Sequence, residues 1–298
     1  MAAVKINARD QITATIKEKI LEANAGDFTL PFASLSSAPK NASTGKAYRG
    51  LNSLYLCILG IETVATYKQW QSLGFQVVKG SSAIQLTPPP RTIKKQRDLP
   101  DGSKEDFTIP LWGGYFNVFA SSAVVSIADG SPYVEPTVSV IDLTDKLAAV
   151  DAFVANLGFD IRTSASGGAF YSPLKNFINM PHREQFTATA TSSATECYYS
   201  TVLHECAHAT GHSSLLDRLD LKNKRGYAFE ELIAELSACF LCLQLGISNT
   251  PRADHSQYLA GWLKALDDGQ VDYIAKAATK SWEVIDWMND RQTVAVAA

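Results

Sequence analysis

The 298-residue chain is 46% hydrophobic and carries 27 Lys and Arg against 30 Asp and Glu, a formal net charge of −3. Such a chain can bury substantial cores, and two domains are its natural division. No run of 18 apolar residues occurs, which excludes a membrane-spanning helix and a membrane partner; five scattered cysteines and no signal peptide point to a reducing cytoplasm.

The charge is split unevenly along the chain. Residues 1–128 hold 14 Lys and Arg against 9 Asp and Glu, net +5, and the remainder is net −8, so the first part is the one suited to a polyanion. It opens with an amphipathic helix in which Ile12, Ile16 and Ile20 recur at i, i+4 and i+8, with Asp10 at the N-cap. A loop rich in Pro, Ser, Gly and Asn follows, carrying Lys40, Lys46, Tyr48 and Arg49, and Asn52 to Ile61 reads as a second apolar helix. Trp70, Gly74, Phe75 and Val77 to Gly80 mark a helix end, a turn and a strand. Ile84, Leu86, Tyr115, Phe116, Val118 and Phe119 mark further strands of a small antiparallel sheet. Between them, TPPPRTIKKQRDLPDGSKED predicts a protruding loop or hairpin tip.

Single-stranded nucleic acid is held by aromatic faces that stack bases, each contributing about 1–3 kcal/mol, and by cations that track the backbone. The first part has both. Tyr48, Trp70, Phe75 and Tyr115 are the candidate stacking groups. Lys40, Lys46, Arg49, Lys68, Lys79, Arg91, Lys94, Lys95 and Arg97 are the candidate phosphate contacts. The ordinary alternative for the aromatics is a place in the core of a small α+β domain.

Residues 129–137 read as a linker, and 138–298 as a second domain that begins with a helix from Asp145 to Leu157. Ala169 to Tyr171 and Phe177 to Pro181 read as two short strands. Then comes YYSTVLHECAHATGH, which contains HExxH at His204, Glu205 and His208. In a helix, imidazoles at i and i+4 lie one turn apart on one face and can share a metal ion. The intervening Glu sits where it can take a proton from water, so this is the core of a zincin metallohydrolase. Gly211 marks the helix end.

A metal site that performs hydrolysis uses three protein ligands and leaves the fourth position to water. The position six residues after the second His is Ser214, so a third His is not supplied there. The segment Tyr227 to Gly246 predicts a helix with an apolar stripe of Leu232, Ile233, Leu236, Phe240 and Leu243 and with Glu230, Glu231 and Glu235 beside it. Glu231 is the expected third ligand and Glu235 the carboxylate that hydrogen-bonds a ligand imidazole, with Glu230 as an alternative ligand and His212 ranked after it. Cys239 and Cys242 form a CxxC, but in an apolar helix with no partner pair they read as small buried hydrophobes. Zn²⁺ is the expected ion, although two His and a carboxylate also suit Mn²⁺, Fe²⁺ or Ni²⁺.

The runs TGKAYRGLN (Thr44 to Asn52), Trp70 with GFQVVKG (Gly74 to Gly80), and YFNVF (Tyr115 to Phe119) resemble the single-stranded-DNA-binding N-terminal domain of the ArdC antirestriction proteins and of the related TraC primases. YYSTVLHECAHATGHSSLLDR, YAFEELIAELSACFLC and YLAGWLKAL resemble the zincin-like domain fused to it in ArdC. The chain departs from the family pattern in the small apolar run Ala120 to Val125 and at Ser81, Ser82 and Ala83. The resemblance implies an α+β protein of two domains, 1–128 and 138–298, that binds single-stranded DNA, or double-stranded DNA, and protects incoming plasmid DNA from host restriction endonucleases during conjugation. A restriction or DNA-bound host protein is the implied peptidase substrate.

The expected chemistry is peptide hydrolysis, with an extended substrate paired to an edge strand. His204, His208 and Glu231 hold the metal, Glu205 moves the proton, and His255 or Tyr258 stabilises the oxyanion. Two other readings remain: a zinc peptidase independent of DNA, and a DNA shield whose metal site is structural.

Overall fold

The structure is a computed structural model that describes residues 8–25, 35–89, 91–98, 103–111, 114–136, 143–188, 192–219, 224–247 and 272–292. Helix α1 (Ala8–Ala25) buries Ile12 and Ile16, as their spacing predicts, while the side chain of Ile20 lies outside the described residues. Asp10 stands within its first turn rather than at the N-cap.

Strand β1 (Lys40–Asn41), helix α2 (Gly50–Ile58) and strand β2 (Thr63–Ala65) form a crossover, so β1 and β2 run parallel. Helix α3 (Tyr67–Ser72), capped by the reciprocal Thr66 and Gln69 hydrogen bonds, leads through a turn into β3 (Phe75–Val77). Strands β4 (Ile84–Leu86) and β7 (Phe116–Ala120) complete a sheet of order β1-β2-β7-β4. That sheet is mixed, not antiparallel as the strand pattern alone suggests, because α2 carries the chain back to the same end before β2. Leu56 of α2 packs on Val64, Leu86 and Val118 from one face; Trp70 of α3 packs on Ala65 and Val124 from the other.

The proline-flanked stretch expected as a loop or hairpin tip is a two-stranded ribbon of β5 (Arg91–Asp98) and β6 (Lys104–Leu111), paired from Arg91 with Leu111 to Asp98 with Lys104. After β7 a 3₁₀ turn leads to β8 (Val124–Ser126), which pairs with β3. The apolar run Ala120 to Val125 is therefore the end of one strand and the start of another.

Residues 129–136 of the expected linker fold back onto the N-terminal half. Val125 bridges Pro132, the Tyr133 ring lies 5.1 Å from Trp70 and 5.2 Å from Phe75, and Lys40 pairs with Glu135 at 3.5 Å. Its prolines and glycine shape a close return of the chain, and the aromatic between them anchors it.

Helix α4 (Leu143–Asn156) opens the C-terminal half. Strands β9 (Ile161–Ser164), β10 (Phe170–Ser172) and β11 (Phe177–Pro181) form a sheet of order β10-β11-β9, with β10 at an edge. Helices α5 (Ala194–Thr210), α6 (Lys224–Gln244) and α7 (Asp272–Asn289) pack together beside it. A capping box of Ser193 and Glu196 starts α5, a motif that contributes about 1 kcal/mol. Every residue of α6 from Leu232 to Leu243 is buried, and the five cysteines are all buried and free.

The two halves share one hydrophobic core. Ile12, Ile16, Leu51 and Leu54 of α1 and α2 belong to the same cluster as Phe240, Leu241, Ala278 and Ile285 of α6 and α7. At this junction Arg49 places its guanidinium 5.0 Å from the Trp282 ring and pairs with Asp286. A cavity of about 400 Å³ lies beside them, lined by Tyr48, Arg49, Pro88, Phe116 and Trp282. Among the described residues no helix is long and apolar enough to cross a membrane.

Candidate metal centre

Helix α5 delivers His204, Glu205 and His208, and α6 packs across it to deliver three carboxylates. His204 Nε2 and His208 Nε2 lie 3.1 Å apart, with Glu231 Oε2 3.6 Å from the first and Glu231 Oε1 3.5 Å from the second. Their donor atoms all fall within 4.8 Å of one another, the one such group among the described residues. His212 is not part of it; its Nδ1 lies 2.8 Å from Ser214 Oγ.

Each of these two imidazoles is gripped from behind. Glu235 Oε2 sits 3.1 Å from His204 Nδ1, and Glu230 Oε1 sits 3.2 Å from His208 Nδ1. A carboxylate at Nδ1 keeps the proton there and turns the Nε2 lone pair toward the ion, which is what a two-His, one-Glu site requires. The donor set therefore fits a divalent cation such as Zn²⁺ or Mn²⁺. Adjacent residues on a helix project about 100° apart, so Glu230 and Glu231 reach opposite nitrogens of one ring.

Arg218 was not legible as a site residue. Its Nε and Nη2 each donate to Glu230 at 2.8 Å, Nη2 also donates to the Ala207 carbonyl at 2.8 Å, and Nη1 donates to Thr210 Oγ1 at 3.1 Å. Gly211 makes this reach feasible. A Cβ there would stand 2.9 Å from Leu219 Cγ and 3.1 Å from Arg218 Nη2, so the returning chain uses the space a side chain would fill. Arg218 and Leu219 both donate backbone N–H groups to the Gly211 carbonyl, at 3.0 and 3.2 Å.

The electrostatics follow from burial and pairing. Burial opposes the charged form of His204, but hydrogen bonds to Glu231 and Glu235 outweigh it and raise its pKa to about 10. Burial would also raise Glu231, and the two imidazoles overcome it, holding that carboxyl well below the usual range. Glu205 is different: it is 7% exposed, and burial pushes its carboxyl up against the pull of both histidines. The Tyr171 backbone amide pulls the carboxyl the other way, and α5 packs against the edge strand β10.

The nucleic-acid candidates do not form one patch. Trp70 is fully buried and its Nε1 donates to the Phe119 carbonyl at 2.9 Å, so it has no face to offer a base. Phe75 is half-buried against Trp70. Tyr48 is half-buried, its Oη accepting from Asn41 Nδ2 at 3.2 Å. Lys40 pairs with Glu135 and Arg49 with Asp286. Lys46, Lys68, Lys79 and Tyr115 are exposed in the N-terminal half. Lys94 and Lys95 are exposed on the β5–β6 ribbon, where Arg97 pairs with Glu105 at 2.6 Å. Arg91 opens that ribbon, its side chain outside the described residues, as are His255 and Tyr258.

Comparison with known proteins resolves the family. Residues 6–119 match the N-terminal domain of anti-restriction factor ArdC, and residues 148–280 match a zincin-like metallopeptidase family. The crystal structure of the antirestriction protein ArdC from plasmid R388, in its Mn(II)-bound form, superposes with a TM-score of 0.68 at 31% identity, over 98% of this chain and all of that one. The chain belongs to the ArdC antirestriction family. The metal-free R388 ArdC structure gives the same TM-score at 29% identity. A Sinorhizobium fredii relative, uncharacterized protein y4eC, is 35% identical across 95% of this chain and 92% of its own length. DNA primase TraC of Escherichia coli is 31% identical over 97% of this chain, which spans 27% of that primase. The shared ArdC architecture is thus an N-terminal ArdC domain joined to a zincin-like domain.

Proposed function

We propose that this ArdC-family protein binds a divalent cation at His204, His208 and Glu231, hydrolyses a polypeptide there, and holds DNA through its N-terminal half, so protecting incoming DNA from restriction. The observation that carries the hydrolytic reading is the convergence of those three donors beside a buried carboxylate and a sheet edge. The Mn(II) bound by the R388 relative supports the class of ion.

A divalent cation held there would polarise a peptide carbonyl and lower the pKa of water in its open coordination position. Glu205 accepts a proton from the attacking water and returns it to the amide nitrogen as the C–N bond breaks. Its raised pKa suits this exchange, because burial makes the carboxylate a stronger base toward the attacking water. An extended substrate adds to β10 as a further strand, bringing its scissile carbonyl over Glu205. The net positive charge of residues 1–128 and the TraC likeness support the DNA reading.

The deciding comparison is Glu205→Gln against the unaltered protein, each loaded with Zn²⁺ or Mn²⁺ and offered restriction-system and other DNA-bound proteins. Loss of cleavage by about 10²- to 10⁴-fold with metal binding intact is expected for a general base. Cleavage undiminished in Glu205→Gln overturns the hydrolytic role. Full protection of transferred DNA by that variant in cells would assign protection to DNA occupancy alone.

A further inference from the structure

One face of the N-terminal sheet is covered only in part. The register sets Ile84 opposite Val118 and Leu86 opposite Phe116, and these side chains point to α2. Gln85 and its partner Asn117 therefore point the other way, as does Phe119 two residues on. That side is covered at the β2 end by α3 and Trp70, while at the β4 end Asn117 is exposed and Tyr115, at the entry to β7, is 57% exposed. At the other limit of the strip Tyr67 stands edge-on to Phe119, ring centroids 6.4 Å apart, and is 48% exposed. From Phe119 to Tyr115 the strand runs about 13 Å, at about 3.3 Å per residue.

Cations flank the Tyr67 end. Lys68 follows Tyr67 on α3. The Lys46 carbonyl accepts from the Asn41 backbone N–H at 2.9 Å, and Asn41 Nδ2 donates to Gln69 of the same helix at 3.1 Å, which ties the Lys46 loop beside it. The strip thus combines two exposed tyrosines, two side-chain amides and two exposed lysines, and none of these positions is acidic.

We infer that this strip, running from Tyr67 and Phe119 through Asn117 and Gln85 to Tyr115, is the track for single-stranded DNA, with Tyr67 and Tyr115 stacking bases that the buried Trp70 cannot reach. Exposed ring faces have use for unpaired bases, since a duplex keeps its bases stacked on one another. Side-chain amides donate to and accept from base edges, and lysines follow phosphates. The inference rests on the DNA-binding reading above and adds the surface that holds the strand and the two rings that stack on its bases.

The test is fluorescence anisotropy of a labelled single-stranded 20-mer and its duplex with the full-length protein, Tyr67→Ala, Tyr115→Ala, the double variant and Tyr67→Phe, across a salt series. Each alanine is expected to weaken single-strand binding about 5-fold or more, with the salt slope kept, and phenylalanine is expected to restore it. Lys46→Ala with Lys68→Ala should instead flatten the slope, by about 0.7 for each phosphate no longer neutralised. The tyrosines are surface groups, so unchanged melting temperatures check that the variants fold. If the unaltered protein binds single strands and both tyrosine variants match it, or if it prefers duplex, the strip is not the track although the DNA reading stands. If the unaltered protein binds no DNA at moderate salt, the DNA reading itself falls and this inference with it.

Discussion

Arg218 and Glu230 form a buried two-point ion pair, both nitrogens 2.8 Å from carboxylate oxygens, and the Oε1 that accepts from Arg218 Nη2 also meets His208 Nδ1 at 3.2 Å. The guanidinium thereby sets the angle of a ligand ring it does not touch. Removing one partner of a buried pair costs about 3–5 kcal/mol, and loss of outer support for a ligand lowers metal affinity about 10- to 100-fold. Arg218→Ala is expected to show both effects in urea denaturation and in Zn²⁺ or Mn²⁺ titration. Arg218→Lys restores the charge without the fork, so it should recover stability more than affinity.

The same logic makes Gly211 a test of close packing rather than of backbone freedom. A methyl group there meets Leu219 and Arg218 at about van der Waals overlap, and overpacking costs about 1–3 kcal/mol. Gly211→Ala should lower the melting temperature and weaken metal binding together. Gly168→Ala, with nothing within 4 Å of its Cβ, is the control and should melt like the parent.

The three carboxylates of α6 make distinct predictions. With Glu231 as the proposed third ligand, Glu231→Gln should leave metal binding too weak to titrate at micromolar protein. Glu230→Gln and Glu235→Gln remove support and should bind within about 10- to 100-fold of the parent. Isothermal titration calorimetry ranks them, and equal losses in all three would contradict the assignment of Glu231.

Acidity of the metal-free centre offers a check independent of activity. His204 has its pKa raised to about 10 by Glu231 and Glu235 against burial, from about 6.5 in the unfolded chain. A raised histidine contributes stability in full below about pH 6.5, and that contribution is lost as pH rises through about 10. The chelated protein should therefore melt at progressively lower temperature from about pH 7 to about pH 10. Added Zn²⁺ or Mn²⁺ should reduce that decline, because ligands freed of protons bind the cation better. A level melting profile in chelator would show that His204 carries no such charge.

Much of the site was legible because it is local. Four residues advance a helix by about one turn, so His204 and His208 had to share a face once α5 formed, with Glu205 between them. Glu231 comes to 3.6 Å from His204 Nε2 and Glu235 to 3.1 Å from its Nδ1 because α6 is one helix whose phase follows from the apolar stripe Leu232 to Leu243. Among the aromatic candidates Trp70 was less legible. It shares one short helix with Tyr67, which was not a candidate, and burial sends the larger ring inside and leaves the smaller one out.

What the chain alone determined is therefore periodic: the two-histidine face of α5, the carboxylate side of α6, the β-alternation of β4 and β7, and the division of charge between the halves. Tertiary structure decided the rest. It chose which nitrogen each Glu meets, because that depends on how α6 crosses α5. It brought Arg218 back over Gly211 and the Tyr133 segment onto Trp70, through loops with no period to read. It also joined α1 and α2 to α7 in one core, since apolar surface is buried wherever shapes match, without regard to domain boundaries drawn along the chain.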